Sequence, residues 1–349
     1  MQYIGVDQHK KFSYIVVMDE RGRIVKEGKV VNDREELKKF LRDCREGRAE
    51  AVIEAGPNWS VMYDWLEEEI DGVKLAHPLK VKAIADAKIK TDKIDARILA
   101  HLLRADLIPE AYVPKIETRK VKNILRQRMF FIRIQTMVKN RIQAILDRHP
   151  EVRSEFLGTD LFGKQGMEYL MHIEIPEPDK SLISESIKFL RIIREYIKKT
   201  DGLVDRLSKG DRRVDIIRTA PGMGKFFSVL VAYEIDDINR FPSVKKISSY
   251  AGLVPSTYAS GNKMFHGGIT KNGNKFLRWA LIEAVWPAIR KDSSLRYYYQ
   301  KIKERKGANA AKVAVARRLL TIIYYMLKEN RGYRINYPAA PYVSIVKVR

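Results

Sequence analysis

The sequence predicts a mixed α/β domain at its N-terminal end, followed by long central helices and a mainly helical C-terminal domain. Residues 1–110 alternate short apolar runs with helical patterns. Residues 115–148 and 181–207 repeat apolar side chains at helical spacing, and glycine-rich turns separate the helical patterns that follow. We expect these divisions: a first domain at 1–112, a basic helical or coiled-coil region at 113–210, a last domain at 211–335 and a tail at 336–349.

The first domain is predicted to begin with three antiparallel strands and to continue with alternating helices and strands. This order of strands and helices is that of the ribonuclease H fold. In that fold the first and fourth strands lie side by side, and we expect the same here. The predicted strands are Tyr3–Val6, Phe12–Met18, Ile24–Val31, Ala51–Glu54 and Val73–Ala76, and the predicted helices are Asp33–Arg42, Trp59–Ile70, Val81–Ala87 and Asp92–Arg104.

Four acidic residues stand at the ends of these elements. Asp7 follows the first predicted strand and Glu54 ends the fourth. Asp92 and Asp95 are three residues apart at the start of a helix, so they share one face. Four converging carboxylates carry a large electrostatic cost unless divalent cations neutralise them, which predicts a metal site. The alternative is that the helical pair only stabilises a helix start capped by Thr91.

The charge of the chain predicts a polyanionic partner. Its 349 residues include 66 Lys and Arg against 43 Asp and Glu, which gives a net charge of +23. A ribosomal or membrane-surface protein is the competing explanation. No apolar run approaches the roughly 20 residues of a membrane span, and we expect no signal peptide. Cys44 is the only cysteine, which favours a reducing, cytoplasmic compartment and argues against a cysteine-based zinc site.

The central region predicts a long amphipathic helix with a basic face. Residues 115–148 carry ten lysines and arginines and two acids. We expect Lys122, Arg126 and Arg133 to contact nucleic acid, and the alternative is a solvated helical linker. Helices of this length could also pair between copies of the chain.

Two glycine-rich segments of the last domain are candidates for phosphate chemistry. Gly222, Gly224 and Lys225 form a turn before a helix that is similar to a helix-hairpin-helix turn, although a simple glycine turn is nearly as good an explanation. Further on, a loop containing Ser256 and Ser260 lies near basic residues. A serine needs such cations to stabilise a developing phosphorane, but turn and cap chemistry would also explain both serines. The basic residues expected near the loop and on nucleic acid are Lys263, Lys271 and Arg278.

Taken together, the motifs resemble the IS110-family transposases, the serine-using recombinases of insertion sequences, and the related Piv-type DNA invertases. The matching segments cover most of the chain in family order. They are Ile4-Gly5-Val6-Asp7, Ile53-Glu54-Ala55-Gly56, Thr91-Asp92-Lys93-Ile94-Asp95-Ala96, Pro221-Gly222-Met223-Gly224, Tyr250-Ala251-Gly252-Leu253-Val254-Pro255, Ser260-Gly261 and Gly268 through Arg278.

The resemblance implies that the N-terminal domain is like that of the resolvase RuvC. It also implies that Asp7, Glu54, Asp92 and Asp95 of this chain bind Mg²⁺ or Mn²⁺. It also implies a transposase domain with a nucleophilic serine, placed at Ser260 with Ser256 as runner-up. Family members work as oligomers on donor and target DNA, and some use a structured guide RNA. We therefore expect a prokaryotic, nucleoid-associated homodimer or homotetramer that exchanges DNA strands through a phosphoserine intermediate.

Two other functions use the same residues. A RuvC-type nuclease would hydrolyse branched DNA at the four acids with water as the nucleophile, and it would leave the serine domain unexplained. A non-catalytic nucleic-acid-binding protein would use the acids only as helix caps and ion-pair partners. A covalent protein–DNA adduct distinguishes the first of these from a serine recombinase, and indifference to Mg²⁺ would favour the second.

Overall fold

The computed structural model describes residues 1–44, 47–85, 91–260 and 263–334, with the backbone alone described at 257–260 and 263–266. The chain forms two compact units, Met1–Pro114 and Lys115–Arg349, called here the N-terminal unit and the helical unit. The further division of the helical unit near residue 210 stays a prediction. No helix in the described ranges is long and apolar enough to cross a bilayer.

The N-terminal unit is a five-stranded mixed sheet with helices on its faces. Its elements are β1 (Gln2–Gln8), β2 (Phe12–Met18), β3 (Ile24–Val31), α1 (Arg34–Arg42), β4 (Ala49–Glu54), α2 (Trp59–Glu69), β5 (Gly72–Ala76), α3 (Pro78–Ile84) and α4 (Asp92–Arg104). The strand order is β3-β2-β1-β4-β5, with β1 antiparallel to β2 and parallel to β4. The predicted neighbouring of the first and fourth strands is confirmed.

One predicted helix of this unit is placed differently. The helix expected at Val81–Ala87 runs from Pro78 to Ile84. Proline is favoured in the first helical turn because its missing N–H has no partner there, so the helix starts earlier than the apolar pattern suggested. Ala87 lies outside the described residues.

Alternation along the strands sends apolar side chains to both faces of the sheet. On one face, Ile4 and Val6 join the core formed with α1 and α2. On the other face, Val16 and Met18 pack against Ala96 of α4. Because both faces are covered by helices, the central strands are apolar almost throughout, as expected for a sheet buried on two sides.

Helix α4 approaches β1 more closely than a side chain would allow. A Cβ atom placed on Gly5 would lie within 3.0 Å of the Ala96 carbonyl oxygen and the Ala100 nitrogen, both of which are backbone atoms. Only glycine is therefore compatible with this spacing. Asp7 lies two residues further along β1, so its side chain leaves the sheet on the same face as α4.

The helical unit is built around two long helices and a cluster of shorter ones. Its elements are α5 (Ile116–Leu146), α6 (Pro150–Glu155), α7 (Lys164–His172), α8 (Asp179–Leu207), α9 (Arg212–Arg218), α10 (Lys225–Ile235), a 3-10 turn (Ile238–Arg240), α11 (Val244–Tyr250), β6 (Pro255–Ser260), β7 (Lys263–Ile269), α12 (Lys275–Glu283), α13 (Val285–Lys291), α14 (Ser293–Lys306) and α15 (Ala308–Lys328). Ile142 and Ile145 of α5 share an apolar core with Ile183 and Ile187 of α8.

Three sequence expectations for this unit are corrected. Six prolines and glycines between residues 150 and 178 predict a loop-rich stretch between the long helices, but the structure places α6 and α7 there. The expected serine loop is an antiparallel hairpin of β6 and β7. The apolar pattern predicts a single helix from Lys275 to Ile289, but the structure divides it at Ala284 into α12 and α13, and α14 follows. Short elements of this kind depend on packing between distant segments, which local patterns do not report.

A buried ion pair joins α5 to α10 inside the helical unit. The Lys122 ammonium lies 3.5 Å from Oε2 of Glu234, whose side chain is 1% exposed. The Asn274 amide donates to the same Oε2 at 2.7 Å, and the Asn274 Oδ1 accepts from the Phe276 and Leu277 nitrogens at the start of α12. Glu234 thereby links the basic helix α5 to Asn274, the residue that caps the start of α12.

Gly5→Ala should destabilise the N-terminal unit by about 1–3 kcal/mol, because neither backbone atom of α4 can move aside without displacing the helix. Chemical denaturation of the full chain measures the change. Gly28→Ala is the matched control in the same sheet, since its added Cβ would make ordinary contact with the Phe40 ring at 3.5 Å. Equal effects of the two substitutions would contradict the close approach.

Glu234→Gln should lower the free energy of unfolding by about 3–5 kcal/mol, because it leaves the Lys122 charge buried without its counter-charge. Glu117→Gln is the control: Glu117 pairs with Lys120 on the exposed face of the same helix and should cost less than about 1 kcal/mol. Adding Lys122→Met to Glu234→Gln should restore most of the stability. A Glu234→Gln variant as stable as Glu117→Gln would refute the buried pair.

Candidate active site

The ends of three elements of the N-terminal unit meet on the α4 face of the sheet. Asp7 lies near the end of β1, and Glu54 is the last residue of β4. Val6 pairs with Ile53 in parallel register, so the acids that follow them occupy adjacent strands at the same edge. The first turn of α4 supplies Asp92 and Asp95, and the Thr91 hydroxyl caps this turn by accepting a hydrogen bond from the Ile94 nitrogen.

The structure brings Asp7 and Asp92 together around a histidine. The Nε2 atom of His9 lies 3.3 Å from Oδ2 of Asp7 and 3.0 Å from Oδ1 of Asp92. Among the described residues, these three side chains form a group whose ligand atoms all lie within 4.8 Å of one another. Two of the four predicted acids therefore face a common centre.

The electrostatics of Asp7 show that a third acid acts on the same centre. Burial raises the pKa of Asp7 most, His9 opposes this rise, and the negative charges of Asp95 and Asp92 add to it. Asp95 is therefore close enough for its charge to be felt, although it stands outside the three-residue group. Glu54 is partly buried and also stands outside the group. Its place in the metal site stays a prediction.

His9 was not singled out by the sequence reasoning. Its ring packs beside the Phe12 ring, with 4.9 Å between the centroids, which keeps the imidazole over the acids. A usable signal was present: Asp7 and His9 are two residues apart at a strand end, and residues at that spacing point to one face. The short Asp-x-His pattern is common in sequences, so its meaning depends on Asp92 arriving from a distant helix.

The chemistry of this donor set fits a divalent cation. Carboxylate oxygens are the ligands that Mg²⁺ and Mn²⁺ prefer, and an imidazole nitrogen is compatible with Mn²⁺. Burial raises the pKa of Asp7, and the charges of Asp95 and Asp92 add to the rise; a bound divalent cation would favour the ionised carboxylates at this position. Asp7 and Asp92, with Asp95 beside them, would hold the cation, while His9 would either join them or withdraw from between the carboxylates.

The two candidate serines lie in the hairpin of the helical unit. Ser260 is the last residue of β6, and its backbone pairs with Lys263, but its side chain lies outside the described residues. The Ser256 hydroxyl donates a hydrogen bond to the Gly268 carbonyl oxygen at 2.9 Å. This bond joins β6 to β7, so it is a contact between strands and not the turn or cap that was the alternative prediction for Ser256.

Two of the residues expected to contact nucleic acid are buried, and these predictions are corrected. Lys122 is held in the ion pair with Glu234, a partner 112 residues away that a helical charge pattern cannot reveal. Gly222 adopts a positive φ of 82° and packs against the backbone of Ala284, so its turn faces the interior.

The remaining expected contacts are more accessible. The exposed residues are Arg126, Arg133, Gly224, Lys225 and Lys271. Arg278 is partly buried, and its guanidinium donates to the Ala251 carbonyl oxygen at 3.1 Å. The Lys263 side chain lies outside the described residues. Nucleic-acid binding by these residues stays a prediction.

Comparison with known proteins relates both units to transposases. Residues 4–150 match the model of the DEDD transposases of the IS110 type, and residues 214–300 match that of the IS116/IS110/IS902 transposase family. A probable family 20 transposase of Pseudomonas aeruginosa is 24% identical, over 75% of this chain and 80% of its own length. The transposase for insertion sequence element IS1111A of Coxiella burnetii is 24% identical, over 75% and 72%. The pilin gene-inverting protein of Moraxella bovis is 27% identical, over 81% of each chain.

The raised pKa of Asp7 predicts a stability change with a defined sign. The folded chain holds the Asp7 proton more tightly than the unfolded chain does, so the free energy of unfolding falls as pH rises from about 4 through the raised pKa. Asp7→Asn has no proton to lose at this position, so it removes this fall in the free energy of unfolding. We expect the variant to be more stable than the wild type above that window and the difference to shrink below it, in denaturant titrations with EDTA at low salt.

Asp19→Asn provides a control of opposite sign. The backbone hydrogen bond from Arg23 lowers the pKa of Asp19. Ionised Asp19 therefore stabilises the folded chain at pH values above the usual pKa of aspartate, and this stability is lost as the pH falls through the lowered pKa. The Asp19 variant should therefore be the less stable chain at neutral pH. A neutral-pH loss of stability in the Asp7 variant as well would contradict the raised pKa of Asp7.

Proposed function

Because the chain belongs to the IS110 family of transposases, we propose that it cuts and rejoins DNA with Ser260 as nucleophile and a divalent cation held by Asp7, Glu54, Asp92 and Asp95. The observation that carries the proposal is the convergence of Asp7 and Asp92 at the end of β1. A DNA transposase needs charge stabilisation at the scissile phosphate, and this cluster is the group of described acids with suitable geometry. The match to the DEDD transposase model, over residues 4–150, includes all four acids.

The four acids would act by binding and orientation. A divalent cation bound there would draw electron density from the scissile phosphate and offset its charge. Asp7, which is partly buried at the end of β1, would fix the position of the site against the sheet, and Asp92 and Asp95 would close it from the helix. His9 would leave room for the phosphate by turning about its own side chain, since 42% of that side chain is exposed.

The serine step is proposed as follows. The Ser260 oxygen loses its proton to water and attacks the phosphorus. A new oxygen–phosphorus bond forms while the bond to one deoxyribose oxygen breaks; that oxygen takes a proton from water and leaves as a free DNA hydroxyl, and the DNA phosphate stays on the serine as a phosphodiester. A hydroxyl of the second DNA strand then loses its proton to water and attacks the same phosphorus, which forms the new DNA phosphodiester, breaks the serine oxygen–phosphorus bond and lets the serine oxygen take back a proton from water. The proposal requires the acids and Ser260 to act on the same phosphate, within one chain or between two copies.

The positive charge of the chain supports long nucleic-acid contacts. The formal net charge is +23, and Arg126 and Arg133 lie exposed on α5. Donor DNA, target DNA and a structured guide RNA would each provide the polyanion that this charge requires, and we include all three in the proposal. Oligomerisation through the long helices belongs to the same proposal.

Single substitutions should separate the two halves of the proposed site. The substrate is a plasmid that carries the genomic region encoding the chain, and the products are resolved on a denaturing gel with Mg²⁺ present. Asp7→Ala should reduce strand cleavage by about three orders of magnitude while DNA binding is retained. Ser260→Ala should abolish the covalent protein–DNA adduct, and Ser256→Ala should leave it in place.

Each alternative gives a different result in the same assay. An adduct that survives Ser260→Ala but disappears in Ser256→Ala would show that the nucleophile is Ser256. Cleavage by the wild type with no adduct at any time would favour a nuclease that uses water. Normal cleavage by Asp7→Ala would refute the metal site.

A further inference from the structure

One carboxylate of β3 holds the first two turns of α4. The Arg97 guanidinium donates to Glu27 from Nε to Oε2 at 2.8 Å and from Nη2 to Oε1 at 2.8 Å. The Lys93 ammonium lies 2.5 Å from the same Oε1. A bidentate arginine–carboxylate pair fixes orientation as well as distance, because its two parallel hydrogen bonds form in one relative geometry.

The position of Glu27 in the sheet relates this contact to the close approach of α4. Gly5 pairs with Val16 across β1 and β2, and Val16 pairs with Glu27 across β2 and β3. Residues directly opposite one another on neighbouring strands point to the same face, so the three form a row beneath α4. The helix therefore rests on the sheet at Gly5 and is held from the side at Glu27.

The Glu27 carboxylate is well suited to a permanent attachment. Its side chain is 19% exposed, so the ion pair is partly shielded from water. The hydrogen bond from Arg97, followed by that from Lys93, lowers the pKa of Glu27 to about 2. The carboxylate therefore keeps its charge throughout the physiological pH range.

The held turns are those that carry the candidate metal ligands. Lys93 lies between Asp92 and Asp95 in the first turn, and Arg97 lies one turn further on. The apolar contacts of α4 with the sheet, at Ala96, Ala100 and the leucines that follow, lie beyond its first turn, so that turn could still rotate or tilt without a further attachment. Small displacements matter at such a site, since metal ligands must converge to within a few tenths of an ångström.

We propose that Glu27 is a positioning residue for the divalent-cation site: by binding Lys93 and Arg97 it sets the rotation of α4 that turns Asp92 and Asp95 toward Asp7. The inference rests on the proposed function in one respect, namely that these acids hold a cation. Glu27 itself contacts neither the acids in the cluster nor DNA in this scheme. Its effect is transmitted through the helix.

The test is the affinity of the full-length chain for Mn²⁺, measured by isothermal titration calorimetry after nuclease treatment and purification at high salt. The heat recorded with Asp7→Ala is subtracted as the background from other sites. Glu27→Gln should weaken the site-specific binding of Mn²⁺ by about tenfold or more, as substitutions behind metal ligands commonly do. Glu68→Gln is the matched control, since Glu68 pairs with Arg34 between α1 and α2 on the other face of the sheet.

A purely structural role gives a different outcome. It would lower the melting temperature of the cation-free chain in Glu27→Gln without changing the Mn²⁺ dissociation constant, and this result would overturn the proposal. If Glu27→Gln does not fold, Arg97→Lys keeps the charge but loses the bidentate geometry, and it should also weaken Mn²⁺ binding. Wild-type affinity in a folded Arg97→Lys chain would equally overturn it.

The experiment also separates this inference from the proposed function. Site-specific Mn²⁺ binding by the wild type, unchanged in Glu27→Gln, refutes only the positioning role. A wild-type chain whose heat equals that of Asp7→Ala has no cation site at these acids, and both proposals then fail.

Discussion

The packing of α4 on β1 at Gly5 is the constraint on which the N-terminal unit depends. Two backbone segments, a strand and a helix, meet there without an intervening side chain. This contact determines how high the first turn of α4 stands above the sheet, and therefore whether Asp92 can reach the centre that Asp7 and His9 share. A side chain at position 5 would raise the helix, and the acids would separate. The candidate site is thus a consequence of how closely the backbone packs.

Much of this arrangement could be predicted from the sequence, because it follows from the spacing of side chains along strands and helices and from the order of these elements in the chain. Strand alternation places Asp7 on one face, helical spacing places Asp92 and Asp95 together, and the order of elements makes β1 and β4 neighbours. The role of His9 could not be predicted in this way, since it depends on a residue that arrives 83 positions later. The direction of the Glu54 side chain likewise depends on packing at the strand end, which period alone does not determine.

The helical unit shows the opposite balance. The lengths of α5 and α8 were predictable from apolar spacing, but Lys122 was assigned to the wrong environment. Composition predicts that a basic helix faces solvent, and most of α5 agrees with that expectation. The exception requires a buried acid on another helix, and Glu234 lies within an apolar stretch where its pairing leaves no local trace. The hairpin escaped prediction for a similar reason, because its strands are short and carry few apolar residues.

The buried pair between Lys122 and Glu234 has an evolutionary consequence. Loss of Glu234 leaves the Lys122 charge buried without its counter-charge, and loss of Lys122 leaves Glu234 with only the more distant Arg126 guanidinium, at 3.8 Å, so each single step is disfavoured. Replacement of both by apolar residues of similar size is tolerated far better. Among descendants of this chain the two positions should therefore change in concert, and their correlated substitution would be visible in an alignment although 112 residues separate them.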